Sequence, residues 1–182
     1  MSGLRVEDDG DNQSFFDNPL VMDIWGKEVV EDFYASYPDV RENLYEGPHS
    51  FYQYFNFGDL SKFREGFLDN TKRAHDAGVL IGCGTDAPAY PTLWSGESLH
   101  REMELLVMAG LTPIEAIKSC TNNSAKILRE DEEFGSIQVG LAGDLVLVKG
   151  NPADNISDTR KIIHVIYRGG VLDREALLNS WR

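Results

Sequence analysis

Asp86 closes a short apolar run, Val79-Leu80-Ile81, that breaks off in Gly82-Cys83-Gly84-Thr85. A carboxylate where a buried strand emerges at a mouth sits where catalytic groups cluster, and this makes Asp86 the best candidate for chemistry. The local text leaves a second role open, in which Asp86 only caps the following turn. Asp-Thr-Gly in the opposite order marks aspartic proteases, but this chain reads Gly-Thr-Asp and has no second copy to form a carboxylate pair. A hydrolytic zinc site takes three protein ligands and keeps one position open for water. The histidines are His49, His75, His100 and His164, and their spacing forms neither an HxH strand pair nor an HExxH helix pair. His100 lies in the first turn of the helix after the Asp86 loop and is a weak candidate for substrate binding. A surface or hydrogen-bonded helix histidine is its plainer reading. His75 fits a cation at a helix C-terminus, His164 a structural place, and His49 a loop in which a ligand role stays open. Gly82-Cys83-Gly84 lacks the third glycine of a dinucleotide loop, because position 87 is alanine. Ser95, Ser98 and Cys83 have no base at a recognisable spacing, so a nucleophilic triad has no support.

The elements that must position Asp86 follow from periodicity. Val79 to Ile81 show no alternation, as in a strand covered on both faces of a parallel sheet, where catalytic groups gather at the C-terminal strand ends. Asp59 reads as the N-cap of a helix through Ala77 with Leu60, Phe63, Phe67, Ala74 and Ala77 on one stripe, and Gly78 stands at C′. Glu97 to Ala109 reads as an amphipathic helix closed by Gly110. Thr112-Pro113-Ile114-Glu115 has the pattern of a capping box with proline at N1, opening a helix to about Ser119. Asn123-Ser124-Ala125 opens another, ending near Arg129. Ile137 to Val139, Asp144 to Val148, Ile162 to Tyr167 and Gly170 to Leu172 are β-branched runs between turn residues, which predicts a meander.

Bulk composition narrows the partners. The 182 residues carry 30 acidic and 17 basic side chains, a net charge of −13, and such a field repels phosphate. Neither nucleic acid nor an anionic membrane is expected as a partner. No apolar run approaches the roughly 20 residues that span a bilayer, and the acidic start MSGLRVEDDGD is unlike a secretory signal. A soluble, cytoplasmic protein is expected. Cys83 and Cys120 are two cysteines that could pair, but two make no disulfide framework, and both are expected to be reduced core thiols. The chain is also too short for a complete (β/α)8 barrel, which takes about 250 residues.

Four segments stand in an order more specific than any one of them: AHDAGVLIGCGTDAP, GESLHREMELLVMAGLTPIEAIKSCTNNSAKIL, GSIQVGLAGDLVLVKGNPADNI and IIHVIYRGGVL. Together they resemble the C-terminal part of the metal-dependent amidohydrolase superfamily, in particular its imidazolonepropionase and Xaa-Pro dipeptidase-like branch. The resemblance implies an α/β fold: the last βα units of a TIM-barrel amidohydrolase followed by part of a small β-sandwich. It implies that GTDA is barrel strand eight. Asp86 then contacts the metal and shuttles protons as the catalytic residue. It also implies a divalent metal, zinc first, in the complete enzyme. One departure is Gly140-Leu141-Ala142-Gly143-Asp144-Leu145, where the family often has Gly-Lys-x-Ala-Asp-Leu, and it concerns a turn. The larger departure is that the family's HxH, its lysine or glutamate, and its two further histidines have no counterpart here.

The expected organisation is an acidic, poorly ordered tail over 1–14, a partial barrel segment with an insertion over 15–133, and a sandwich portion over 134–182. The expected function is that of the C-terminal portion of an amidohydrolase that hydrolyses amide, cyclic amide or dipeptide C–N bonds on a small-molecule or peptide substrate. A lone aspartate does not hold zinc against water, so the chain alone is expected to be inactive and to bind no metal. An oligomer or a complementing chain would complete it. The alternative is a non-catalytic binding or assembly module derived from an amidohydrolase.

Overall fold

The computed structural model describes Glu28 and residues 60–87 and 96–180. The tail over 1–14, the aromatic stretch over 15–57 with His49, the Asp59 cap and most of the loop from Ala87 to Gly96 lie outside those residues. The described part is a small α/β piece in which helices come first, a three-stranded sheet follows, and a short helix, Arg174–Ser180, comes after the sheet.

Helix α1 spans Leu60–Asp76 and ends as its glycine predicts, with Gly78 at φ 80°. On its apolar stripe Phe67 is 41% exposed and Ala74 is half-buried, and Ala77, just past the helix, is exposed. Helix α2 spans Glu97–Met108 and stops at Gly110, φ 104°. Its inward face supplies Met103, Leu105 and Leu106. Helix α3, Pro113–Lys118, begins in the expected capping box: Glu115 N–H donates to Thr112 Oγ1 at 3.3 Å, and Thr112 N–H donates to Glu115 Oε2 at 2.8 Å. The break expected between Ser119 and Asn123 is instead one wide π turn, Ser119–Asn123, that runs without interruption into α4, Ser124–Leu128.

Strands β1 (Leu145–Val148), β2 (Ile162–Tyr167) and β3 (Gly170–Val171) pair antiparallel in the order β1-β2-β3, with a register shift between Leu147 and Val148. Ile137–Val139, expected as a strand, pairs with nothing among the described residues; both ends of the run are fully open, Ile137 at 87% and Val139 at 108% exposure. Its backbone belongs to a turn in which Ala142 N–H reaches Glu133 C=O at 2.7 Å, a shape that leaves no straight edge for a ladder. Among the described residues the sheet does not form the core. Met103, Leu106, Leu111, Ala116 and Ile156 do, with Ile81, Cys83, Val107, Ile117 and Cys120 packed on them. Ile156 opens a 3-10 turn, Ile156–Arg160, between β1 and β2, and this turn plugs the meander into α2.

Gly135 sits where the chain passes back over the π turn at φ 96°, and an added Cβ would lie 2.6 Å from Ala125 Cβ and 3.2 Å from Thr121 C=O. Gly135→Ala combines a left-handed backbone with contact against fixed atoms and is expected to cost about 2 kcal/mol. Denaturant titration checks this, with Gly140→Ala as a control: it has the same backbone sign, φ 98°, but open space.

Candidate functional site

Residues 79–86 were expected to be a strand covered on both faces, but the structure differs. The segment joins no ladder among the described residues, and Val79 and Leu80 are 55% and 47% exposed. Side chains hold it where a neighbouring strand would. Asn123 Nδ2–H donates to Ile81 C=O at 2.9 Å, and Cys83 N–H donates to Ser124 Oγ at 3.1 Å. Ser124 Oγ in turn donates to Ser119 C=O at 2.7 Å, across the π turn. Gly82 allows the approach, because a Cβ there would stand 2.7 Å from Ile127 Cδ1. A covalent tie is added on the same side. Cys83 and Cys120 form a disulfide, Cα–Cα 4.7 Å, which corrects the expectation of reduced thiols. Their pairing was not legible because 37 positions separate them and only the fold brings the π turn under the strand.

Asp86 stands at the outer end of this tethered segment. It is exposed and left-handed, φ 55°, a conformation that aspartate tolerates better than most side chains. Ala87 N–H is taken by Thr85 Oγ1 at 3.3 Å, so Asp86 is not the residue that caps that amide. Among the described residues its carboxylate has no hydrogen-bond or ion-pair partner.

His100 does not join it in any described contact. Its Nδ1 lies 3.0 Å from Thr159 Oγ1, on the 3-10 turn. Burial, and then the nearby Arg160 guanidinium, push its pKa below the usual histidine value. A histidine that resists protonation when folded loses stability as pH falls below its unfolded value of about 6.5. His100→Gln keeps a polar side chain and is expected to flatten the loss of thermal stability between pH 7 and pH 5; an unchanged slope would refute the assignment. His75 sits at the end of α1, 3.5 Å from Asp76 Oδ1 and 3.5 Å from Glu115 Oε1, as the helix-terminus reading predicts. His164 lies on β2 opposite Leu147. Ser98 is buried at 1% exposure, and Ser95 lies outside the described residues.

A polar cluster missed by motif reading lies between α2 and the 3-10 turn. Arg160 Nη1 donates to Glu97 Oε1 and its Nε donates to Glu104 Oε1 at 3.0 Å. Glu97 is 5% exposed. One helical turn away Glu102 is equally buried, and its Oε2 has no hydrogen-bond partner among the described residues. Burial pushes its carboxyl above the usual range. The only sequence signal was a glutamate at positions 97 and 104 beside an apolar stripe, which ordinarily means a solvated face.

Among the described residues no group of three or more His, Cys, Asp or Glu side chains comes together to hold a metal ion. Asp86 supplies one ligand at most, so these residues do not fit a divalent-metal site by themselves. Among the same residues no helix is long and apolar enough to cross a membrane.

Comparison with known proteins turns on the ordered segments around Asp86. The amidohydrolase family profile matches residues 60–172, more than half of the chain. The chain belongs to the amidohydrolase family. Over 116 residues it is 30% identical to imidazolonepropionase from Geobacillus sp. (strain WCH70), covering 62% of this chain and 24% of that protein. Among solved structures it is similar to a putative prolidase from Bifidobacterium longum, with 34% identity, TM-score 0.53, and coverage of 63% of this chain and 29% of that one. It is likewise similar to a Xaa-Pro dipeptidase with bound methionine in the active site, with 35% identity, TM-score 0.52, and coverage of 58% and 25%. This amidohydrolase chain thus spans about a quarter of the length of the curated relatives it matches. The family it belongs to generally uses a divalent metal.

Proposed function

We propose that this chain is the C-terminal portion of an amidohydrolase that hydrolyses an amide, cyclic amide or dipeptide C–N bond, with Asp86 as its acid–base carboxylate. The observation that carries the reading is the placement of Asp86: exposed, unpartnered among the described residues, and held at the end of a segment fixed by two hydrogen bonds and a disulfide. In that role Asp86 takes a proton from the attacking water and returns it to the leaving nitrogen. Of the expected barrel segment, 15–133, the described residues serve as the last barrel units, and 134–182 is part of the flanking sandwich. The cation, zinc first, would take Asp86 as one ligand and the rest from outside the described residues, because those present do not make a site. When bound it supplies Lewis acidity to the carbonyl. The chain alone is inactive.

The test is complementation of a relative. The full chain is added to the Geobacillus imidazolonepropionase lacking the segment this chain matches. Recovery of bound metal and of amide hydrolysis supports the reading. Stoichiometric metal and rapid turnover by the chain alone overturn its inactivity, and a tight complex without metal or turnover favours the assembly module instead.

A further inference from the structure

We propose that Cys83 and Cys120 are a reversible thiol–disulfide pair that sets the order of the Asp86 segment. Three observations place the site. The two Cα atoms are 4.7 Å apart, inside the range a disulfide spans. Both cysteines pack against the core, and neither is fully buried. Cys120 occupies the π turn whose neighbours Asn123 and Ser124 already grip Ile81 and Cys83 through hydrogen bonds. Those bonds keep the thiols facing each other without the covalent tie, which is what a pair needs to close again after reduction.

The oxidant is a low-molecular-weight disulfide of the glutathione class. One cysteine thiolate attacks it, forming a mixed disulfide and releasing one small thiol. The second cysteine thiolate attacks the protein sulfur of that mixed disulfide, and the second small thiol leaves. The two protein protons end on the two released thiols. The protein loses two electrons and the reagent gains them. Closing the bond encloses Asp86, α2 and α3 in one covalent loop, because the cysteines are 37 positions apart. Opening it leaves the segment before Asp86 with the Asn123 and Ser124 bonds and the packing of Ile81 and Cys83 on the core, without the covalent tie.

The full chain is equilibrated over a series of reduced-to-oxidised glutathione ratios, quenched by alkylation and weighed intact, and amide hydrogen exchange is followed at both ends of the series. The expected result is an intramolecular, monomeric passage from two alkylated cysteines to none, with exchange over residues 81–87 slowed about tenfold or more in the oxidised form. Cys83→Ser and Cys120→Ser should each exchange like the reduced protein at every ratio. Cysteines alkylated throughout, disulfides formed only between chains, or equal exchange in the two forms would each overturn the proposal, whether or not the variants fold. The proposal rests on Asp86 being the reactive group only for its consequence, and none of its readouts requires turnover. A failed complementation and a failed redox titration are therefore distinguishable.

Discussion

Asp86→Asn is expected to lower kcat of the complemented enzyme by about 10²- to 10⁴-fold, the range a positioned acid–base group contributes, with the complex assembling as before. Asparagine is the substitution that isolates the proton. It has nearly the same size, and like aspartate it tolerates the left-handed backbone seen at φ 55°. Alanine would add about 1 kcal/mol of backbone cost at that position and confuse the outcome. Stability should hardly move, since no described residue pairs with the carboxylate and the side chain is exposed. The decisive measurement sets single-turnover hydrolysis beside the thermal melt of the same preparation. A rate loss below about tenfold with an unchanged melt would remove Asp86 from proton transfer and leave it a turn residue.

Arg160→Met is expected to be the most destabilising substitution at the junction of helices and sheet, by about 3 kcal/mol. Breaking a buried ion pair by removing one partner costs about 3–5 kcal/mol, because desolvated carboxylates lose a counter-ion. The lower end applies because the Arg160 side chain is 28% exposed, although that of Glu97 is only 6% exposed. Arg160→Lys should recover a minor part, since an ammonium cannot make both the Nη1 and the Nε contacts. Adding Glu97→Gln to Arg160→Met should recover more, and the double-mutant cycle measures the coupling.

Acid acts on the same cluster in a defined direction. Burial raises the Glu104 carboxyl, but the hydrogen bond and charge of Arg160, with Arg101, outweigh it and hold the group below the ordinary glutamate value. A carboxylate lowered on folding stabilises fully above its unfolded pKa, and the contribution is lost as pH falls through the folded value. The stability gap between wild type and Arg160→Met should therefore narrow as pH drops below about 4.5. A gap that stays constant down to pH 3 would mean that packing of the arginine stem, not its charge, accounts for the loss.

Much of the local structure was legible because it is set by neighbours in sequence. The Thr112–Glu115 box, the glycine stops at Gly78 and Gly110, and strands β1 to β3 each depend on a few adjacent residues, and each appears where its residues predict. The misses share one cause. Val79–Ile81 has the composition of a buried strand, but a strand is defined by a hydrogen-bonded neighbour, and no described residue provides one. Ile137–Val139 failed for the same reason. Cys83 with Cys120, and Glu97 with Arg160, are pairs across 37 and 63 positions, which no periodicity reports.

For the site, the sequence by itself determined the carboxylate and its kin: Asp86 after an apolar run, in an order of segments that belongs to the amidohydrolase family. Only the tertiary structure decided how that carboxylate is held. The apolar run is pinned to the π turn by Asn123, Ser124 and Cys120, while Arg160 locks the meander to the helix that follows the Asp86 loop. Adjacent residues encode turns and caps through short-range sterics and hydrogen bonds. Ties between distant residues exist only once burial has brought their elements into contact.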